Sequence, residues 1–166
     1  MYGRTKLAGE NFVKEFSNEH FIIRTAWLYG DGKNFVKTMV NAGRKLGKLT
    51  VVNDQLGNPT NAVDLGHVIL QLAVSHEYGV YHCTGEGVCS WYDFACEIIR
   101  LSGVQAEVTP CTSAQYKQMN PASTNRPAWS ALDNRMLRCT AGDPVRPWQQ
   151  ALECFFAHWD GENGMK

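Results

Sequence analysis

Three adjacent apolar residues, Phe21-Ile22-Ile23, sit inside the segment 20–29 (HFIIRTAWLY) and constrain this chain more than any other feature. Strict alternation would give a strand wetted on one face. A continuous apolar run gives a strand buried on both faces, which is the habit of parallel strands covered by helices. Gly30-Asp31-Gly32 stops the run. A parallel strand needs neighbours and helical crossovers, and nothing before residue 20 reads as a partner strand. The remainder alternates between the two periods. Helices are expected over 2–16, where Leu7, Phe12, Val13 and Phe16 recur near the helical repeat, over 34–46 with Gly47 as a stop, over 63–74, and over 91–101, which Ser90 caps and Ser102-Gly103 closes. Strands are expected at 49–52, 79–84 and 106–111. Segments 54–60 and 120–128 read as loops. Two last helices, at about 130–137 and 147–159, precede a polar, glycine-containing tail. The pattern is that of an α/β fold.

Sixteen basic residues balance sixteen acidic ones, so no overall field draws the chain to nucleic acid or to an anionic membrane. Any phosphate must be met by individual side chains. The start of the chain lacks the apolar core of a signal peptide, and no window approaches the ~18 apolar residues of a membrane span. Six cysteines are scattered without a C-x-x-C pair or histidines at ligand spacing, and read as free thiols. The five histidines suggest neither a zinc site nor a catalytic dyad. The expectation is a cytoplasmic protein without nucleic-acid or membrane partners.

Tyr2-x-x-x-Lys6 places a phenol and an ammonium one turn apart on one face of the first helix. A cation beside a phenol favours the phenolate, which suits the pair to proton transfer. The same spacing is also that of an ordinary exposed helix face. Tyr29 and Lys33 repeat it across Gly30-Asp31-Gly32, where a loop is expected, and that pair reads as coincidence.

YGRTKLAGE, then RTAWLYG, NFV and DQLGNPT, in this order and spacing, resemble the second half of the dTDP-4-dehydrorhamnose reductases, a family of extended short-chain dehydrogenase/reductases. The resemblance continues through HCTGEGVCSWYDFACEI and Asn125-Arg126-Pro127 to PWQQAL, and so spans nearly the whole chain. It implies the late parallel strands of a Rossmann-like fold plus a small substrate-binding α/β portion. Residues 1–60 would complete a dinucleotide-binding domain with its catalytic helix, and 61–166 would be mainly substrate-binding. The implied activity is reduction of the 4-keto group of dTDP-4-dehydro-6-deoxy-L-mannose with NADPH or NADH. Tyr2 would protonate the alkoxide, Lys6 would orient the nicotinamide ribose, and Thr25 would be a further cofactor contact. No G-x-G-x-x-G or G-x-x-G-x-x-G turn occurs in these residues, so the cofactor's pyrophosphate is expected to need an upstream half. The family's serine or threonine that meets the carbonyl has no match either. Non-catalytic sugar-nucleotide binding or regulation, and reduction or epimerisation of another nucleotide sugar, are the competing readings.

For the nucleotide sugar, the resemblance sets Trp27 against the deoxysugar, although a core tryptophan is equally consistent with its apolar neighbours. Asn34 either caps the following helix or touches the nucleotide. Gln55 and Thr60 offer side-chain donors from the 54–60 loop. Arg126, held extended by Pro127, is the candidate diphosphate clamp, with a solvated surface arginine as the alternative. Some members of the family use an inter-subunit Mg contact that Glu10 and Asp64 could join, but the sequence gives little support for it and no metal ligand is assigned in this chain. A homodimer or association through an exposed sheet edge is the expected assembly.

Overall fold

The computed structural model describes residues 1–142 and 145–159. The expected tail after Trp159 lies outside the described residues. The first helix, α1 (Tyr2–Phe16), leads into β1 (Phe21–Arg24), β2 (Leu28–Tyr29), α2 (Phe35–Leu46) and β3 (Lys48–Val52). Two short strands, β4 (Leu56–Gly57) and β5 (Thr60–Asn61), lie within the segment expected to be loop, before α3 (Ala62–Ala73), β6 (Gly79–His82) and β7 (Cys89–Ser90). Then come α4 (Trp91–Ser102), β8 (Glu107–Cys111), α5 (Ser113–Met119), α6 (Arg135–Ala141) and α7 (Trp148–His158).

Among the described residues, three of the four strand pairings are parallel and join segments distant in sequence. β1 pairs with β6 from Phe21 opposite Gly79 to Arg24 opposite His82, β3 pairs with β8, and β2 pairs with β5; β4 and β7 are antiparallel. This is the α/β class read from the alternation of periods. The chain packs as helices against these pairs. One core cluster joins Val36 and Val40 of α2, Phe94 and Ile98 of α4, and Trp148 and Leu152 of α7 around Tyr29. A second sets Val68 and Leu72 of α3 and Leu137 of α6 against Tyr81. A third seals α4 onto β3 through Leu49, Val51, Ala95 and Ile99. The first cluster draws on residues from both sides of position 60.

The helix ends follow their local chemistry. Asn34 accepts from the Lys37 N–H at the start of α2. At α4, Ser90 and Asp93 satisfy each other's backbone N–H groups in a capping box. α2 and α4 both end at glycines in the left-handed region, Gly47 at φ 65 and Gly103 at φ 67, a conformation that costs a residue with a Cβ.

Three expectations need correction. The single strand over 20–29 is two, because Trp27 takes a left-handed φ of 46 that breaks the extended run. Phe21, Ile22 and Ile23 are half-buried rather than covered on both faces, since β6 is β1's only strand neighbour among the described residues. The helix expected at 130–137 begins only at Arg135, because Ser130 N donates to Leu56 O (2.8 Å) and Leu132 N to Asn58 Oδ1 (2.8 Å), bonds that hold this stretch out of the helix. The short helix α5 stands directly before the 120–128 loop, opened by a capping box of Thr112 and Gln115.

Candidate functional site

A cleft of about 780 Å³ opens beyond the C-terminal ends of β3 and β8, where ligands of parallel sheets gather. Its apolar wall comes from Phe35 and Met39 of α2 and Trp91 at the first turn of α4; its polar wall comes from Gln55, from α5 and from the 123–126 segment. The Phe35 and Trp91 rings lie 4.5 Å apart between centroids. The loops that carry the polar wall are knotted together. Asp54 accepts from the Ser113 N–H at 2.9 Å and from its hydroxyl at 2.6 Å, and Gln55 Nε2 donates to the same hydroxyl at 2.8 Å. The Ser113 hydrogen bonds hold the Asp54 carboxyl below the usual carboxylate range.

Trp27 forms the back of the apolar wall. Its indole stacks on Trp91 with centroids 3.6 Å apart and planes 10° from parallel. The fit leaves no room beneath it: a Cβ at Gly57 would stand 2.4 Å from Trp27 Cε2. The tryptophan is thus half-buried, packed on the cleft's lining rather than part of it.

The cleft is cationic. Lys117 and Arg126 line it, no Asp or Glu does so among the described residues, and neither cation forms an ion pair within them. Such a cavity suits an anion joined to a flat ring, with guanidinium and ammonium for the first and Phe35, Trp91 and Tyr116 for the second.

Of the residues singled out in the sequence, Gln55 and Arg126 meet in this cleft. Thr60 does not reach it: the residue is 1% exposed, and its hydroxyl accepts from the Gly85 N–H at 3.3 Å. Asn34 caps α2, and its amide nitrogen donates to Gly30 O (2.6 Å) and Gly32 O (3.1 Å), so its side chain is committed within its own loop. Thr25 is exposed directly after β1, at that strand's C-terminal end.

Tyr2 and Lys6 share an exposed face of α1. The Lys6 Nζ stands 5.7 Å from the Tyr2 ring centroid, Tyr2 is 77% exposed, and neither side chain has a hydrogen-bond partner among the described residues. Tyr29, the other tyrosine at this spacing, is buried in the core at the end of β2, and Lys33 lies in the bend before the cap of α2, so the two share no helix face. Burial pushes the Cys83 and Cys89 thiols up to about 11 and about 12, which makes them poor nucleophiles. The two carboxylates considered for a metal are each clasped by an arginine: Arg24 binds Glu10 at 2.8 and 2.6 Å, and Arg146 binds Asp64 at 2.9 and 2.6 Å.

Phe35, Trp91, Tyr116 and Lys117 are the lining residues that sequence reasoning missed. Trp91 follows its cap residue and reads as the start of a core helix. The capping-box spacing of Thr112 and Gln115 was the available signal for α5, and hence for Tyr116 and Lys117.

Comparison with known proteins assigns the chain to a family. The model of the RmlD substrate binding domain matches residues 1–160. The spore coat polysaccharide biosynthesis protein SpsK of Bacillus subtilis is 39% identical over 92% of this chain and 52% of its own length. Among solved structures, a dTDP-4-dehydrorhamnose reductase from Clostridium acetobutylicum is 51% identical with a TM-score of 0.88, covering 94% of this chain and 54% of that one. The Bacillus anthracis enzyme of the same name, solved in complex with NADP, is 39% identical with a TM-score of 0.88, over 95% of this chain and 55% of that one. The chain therefore spans about half the length of the relatives it matches.

Proposed function

The chain belongs to the RmlD substrate-binding-domain family, and from that premise we propose that it is the catalytic-tyrosine and substrate-binding half of a reductase. The reaction takes the 4-keto group of dTDP-4-dehydro-6-deoxy-L-mannose to the alcohol of dTDP-L-rhamnose with NADPH. The observation that carries this reading is the unengaged Tyr2–Lys6 pair, with the ammonium 5.7 Å from the phenol ring on one helix face. The cleft with Arg126, lined by no Asp or Glu among the described residues, supports the substrate class.

When bound, the cofactor supplies hydride to the carbonyl carbon. Tyr2 then gives its phenolic proton to the carbonyl oxygen, so that the alkoxide never has to stand free in water. Lys6 stabilises the phenolate left behind and offers its remaining N–H groups to a ribose hydroxyl. Arg126 pairs with the diphosphate, and the Phe35–Trp91 wall receives the base. The reading calls for a dinucleotide-binding segment in addition to these 166 residues, since they contain no glycine-rich turn.

The test is NADPH oxidation by the complete polypeptide that carries this segment, with the dTDP-4-keto sugar as substrate. Tyr2→Phe is expected to lower turnover by ~10² to 10⁴ while dTDP affinity and far-ultraviolet circular dichroism stay as in the wild type. Undiminished turnover sinks the role of Tyr2. Preferential reduction of a different nucleotide sugar overturns the substrate, and tight nucleotide binding without turnover favours a binding module.

A further inference from the structure

Lys117 belongs to none of the motifs that carry the family resemblance and has no part in the reaction above. It lies in the last turn of α5, lines the cleft, and its Nζ donates to the backbone carbonyl of Ser123, three residues before Arg126. Two backbone bonds continue the fold-back: Ser123 N donates to Asn120 O at 2.9 Å, and Asn120 N to Tyr116 O at 2.8 Å. Among the described residues Lys117 is the only side chain that clasps the 120–127 segment. A carbonyl acceptor leaves the ammonium charge uncancelled, and among the described residues no carboxylate lines the cleft. An anionic ligand entering the cavity meets both side chains.

We propose that Lys117 is a second phosphate-binding residue and the positioning residue for Arg126, so that the cleft prefers a nucleoside diphosphate to a monophosphate. The proposal rests on the reading of the cleft as a nucleotide-sugar site. Lys117 holds the segment that carries the guanidinium and adds a point charge of its own. A charge-assisted phosphate contact of this kind is worth about tenfold in affinity, toward the lower end of what a bidentate arginine gives.

Calorimetric titration of dTDP and dTMP into the complete polypeptide that carries this segment tests it. In Lys117→Met the preference for dTDP over dTMP is expected to fall about tenfold, and Lys117→Arg should restore most of it. Lys117→Gln keeps a donor for Ser123 without the charge; it should lose the preference as well, which separates charge from clasp should the methionine variant fail to fold. Lys117→Met combined with Arg126→Ala should lose less than the sum of the single losses, because the two residues act together. Equal weakening of dTDP and dTMP would reduce Lys117 to a structural clasp and overturn the proposal, as would wild-type selectivity in the methionine or glutamine variant. If the wild-type chain binds neither nucleotide, the reading of the cleft itself fails, and Lys117 loses its role with it.

Discussion

Helices α1 and α4 both carry an apolar stripe at helical spacing, but only α4 buries it. Phe94, Ala95, Ile98 and Ile99 of α4 are buried between β3, α2 and α7, and the helix is closed by a capping box at one end and Gly103 at the other. In α1 no residue is buried, Leu7, Phe12 and Phe16 are 54%, 60% and 79% exposed, and Met1 provides no side-chain cap. What fastens α1 is the paired hydrogen bonding of Arg24 to Glu10. An apolar stripe states that a helix has a side to cover; it does not say that the cover lies in the same stretch of chain. The two halves of the proposed chemistry divide along this line. Trp91, on the well-packed helix, lines the cleft, whereas Tyr2 and Lys6 ride on the weakly fastened one.

Substitutions in the two helices test how independent they are. The largest effect is expected from Phe94→Ala. The ring is 1% exposed and meets Trp148 edge-on at 5.7 Å, so its removal should cost about 3–5 kcal/mol in chemical denaturation. A loss under about 1 kcal/mol would mean that this core collapses readily around a cavity. Ser90→Ala removes half of the capping box and should cost about 1 kcal/mol by the same measurement, with intrinsic tryptophan emission reporting any movement of Trp91 next to the cap. The smallest global effect is expected from Glu10→Gln. Denaturation should barely change, because an ion pair with this much solvent contact contributes little, yet amide exchange within α1 should quicken. The hydrogen bond from Arg24 depresses the Glu10 carboxyl below its ordinary value of 4.5. The tether is therefore fully present above that value and is lost as pH falls through the lower, folded one. Measured against the intrinsic exchange rate at each pH, the protection of wild-type α1 should fall under acid, and the protection of the Gln variant should not respond. An α1 that protects its amides equally with and without Glu10 would show that the helix needs no tether.

Much of this architecture was legible because local chemistry and tertiary packing agree. Ser90, Asn34, Gly47 and Gly103 mark helix ends by side-chain bonding or backbone conformation, and the apolar residues of α2 and α4 keep the period that their burial requires. The misreadings occur where a long-range contact decides. Trp27 interrupts the first strand because stacking on Trp91 holds its indole, a constraint lodged 64 residues away in the chain. The 130–134 stretch stays out of the helix because Ser130 and Leu132 bond to Leu56 and Asn58. Thr60 looked available in a polar loop and is buried because β5 pairs with β2. In the cleft, Arg126 and Gln55 were identifiable by their charge and donors, whereas Phe35 and Trp91 are aromatic residues in helices that also build the core, and sequence does not distinguish the two uses.

The fit between Gly57 and Trp27 also bears on how this protein can be inherited. With Cβ space at position 57 occupied by the indole, at 2.4 Å from Cε2, 2.6 Å from Cζ2 and 2.7 Å from Nε1, glycine is the only residue the site admits while the tryptophan keeps its place. The two positions therefore behave as one hereditary unit. A lineage that replaces the tryptophan with a smaller side chain frees position 57 to drift, and once a larger residue settles there, restoring the tryptophan alone no longer restores the wall.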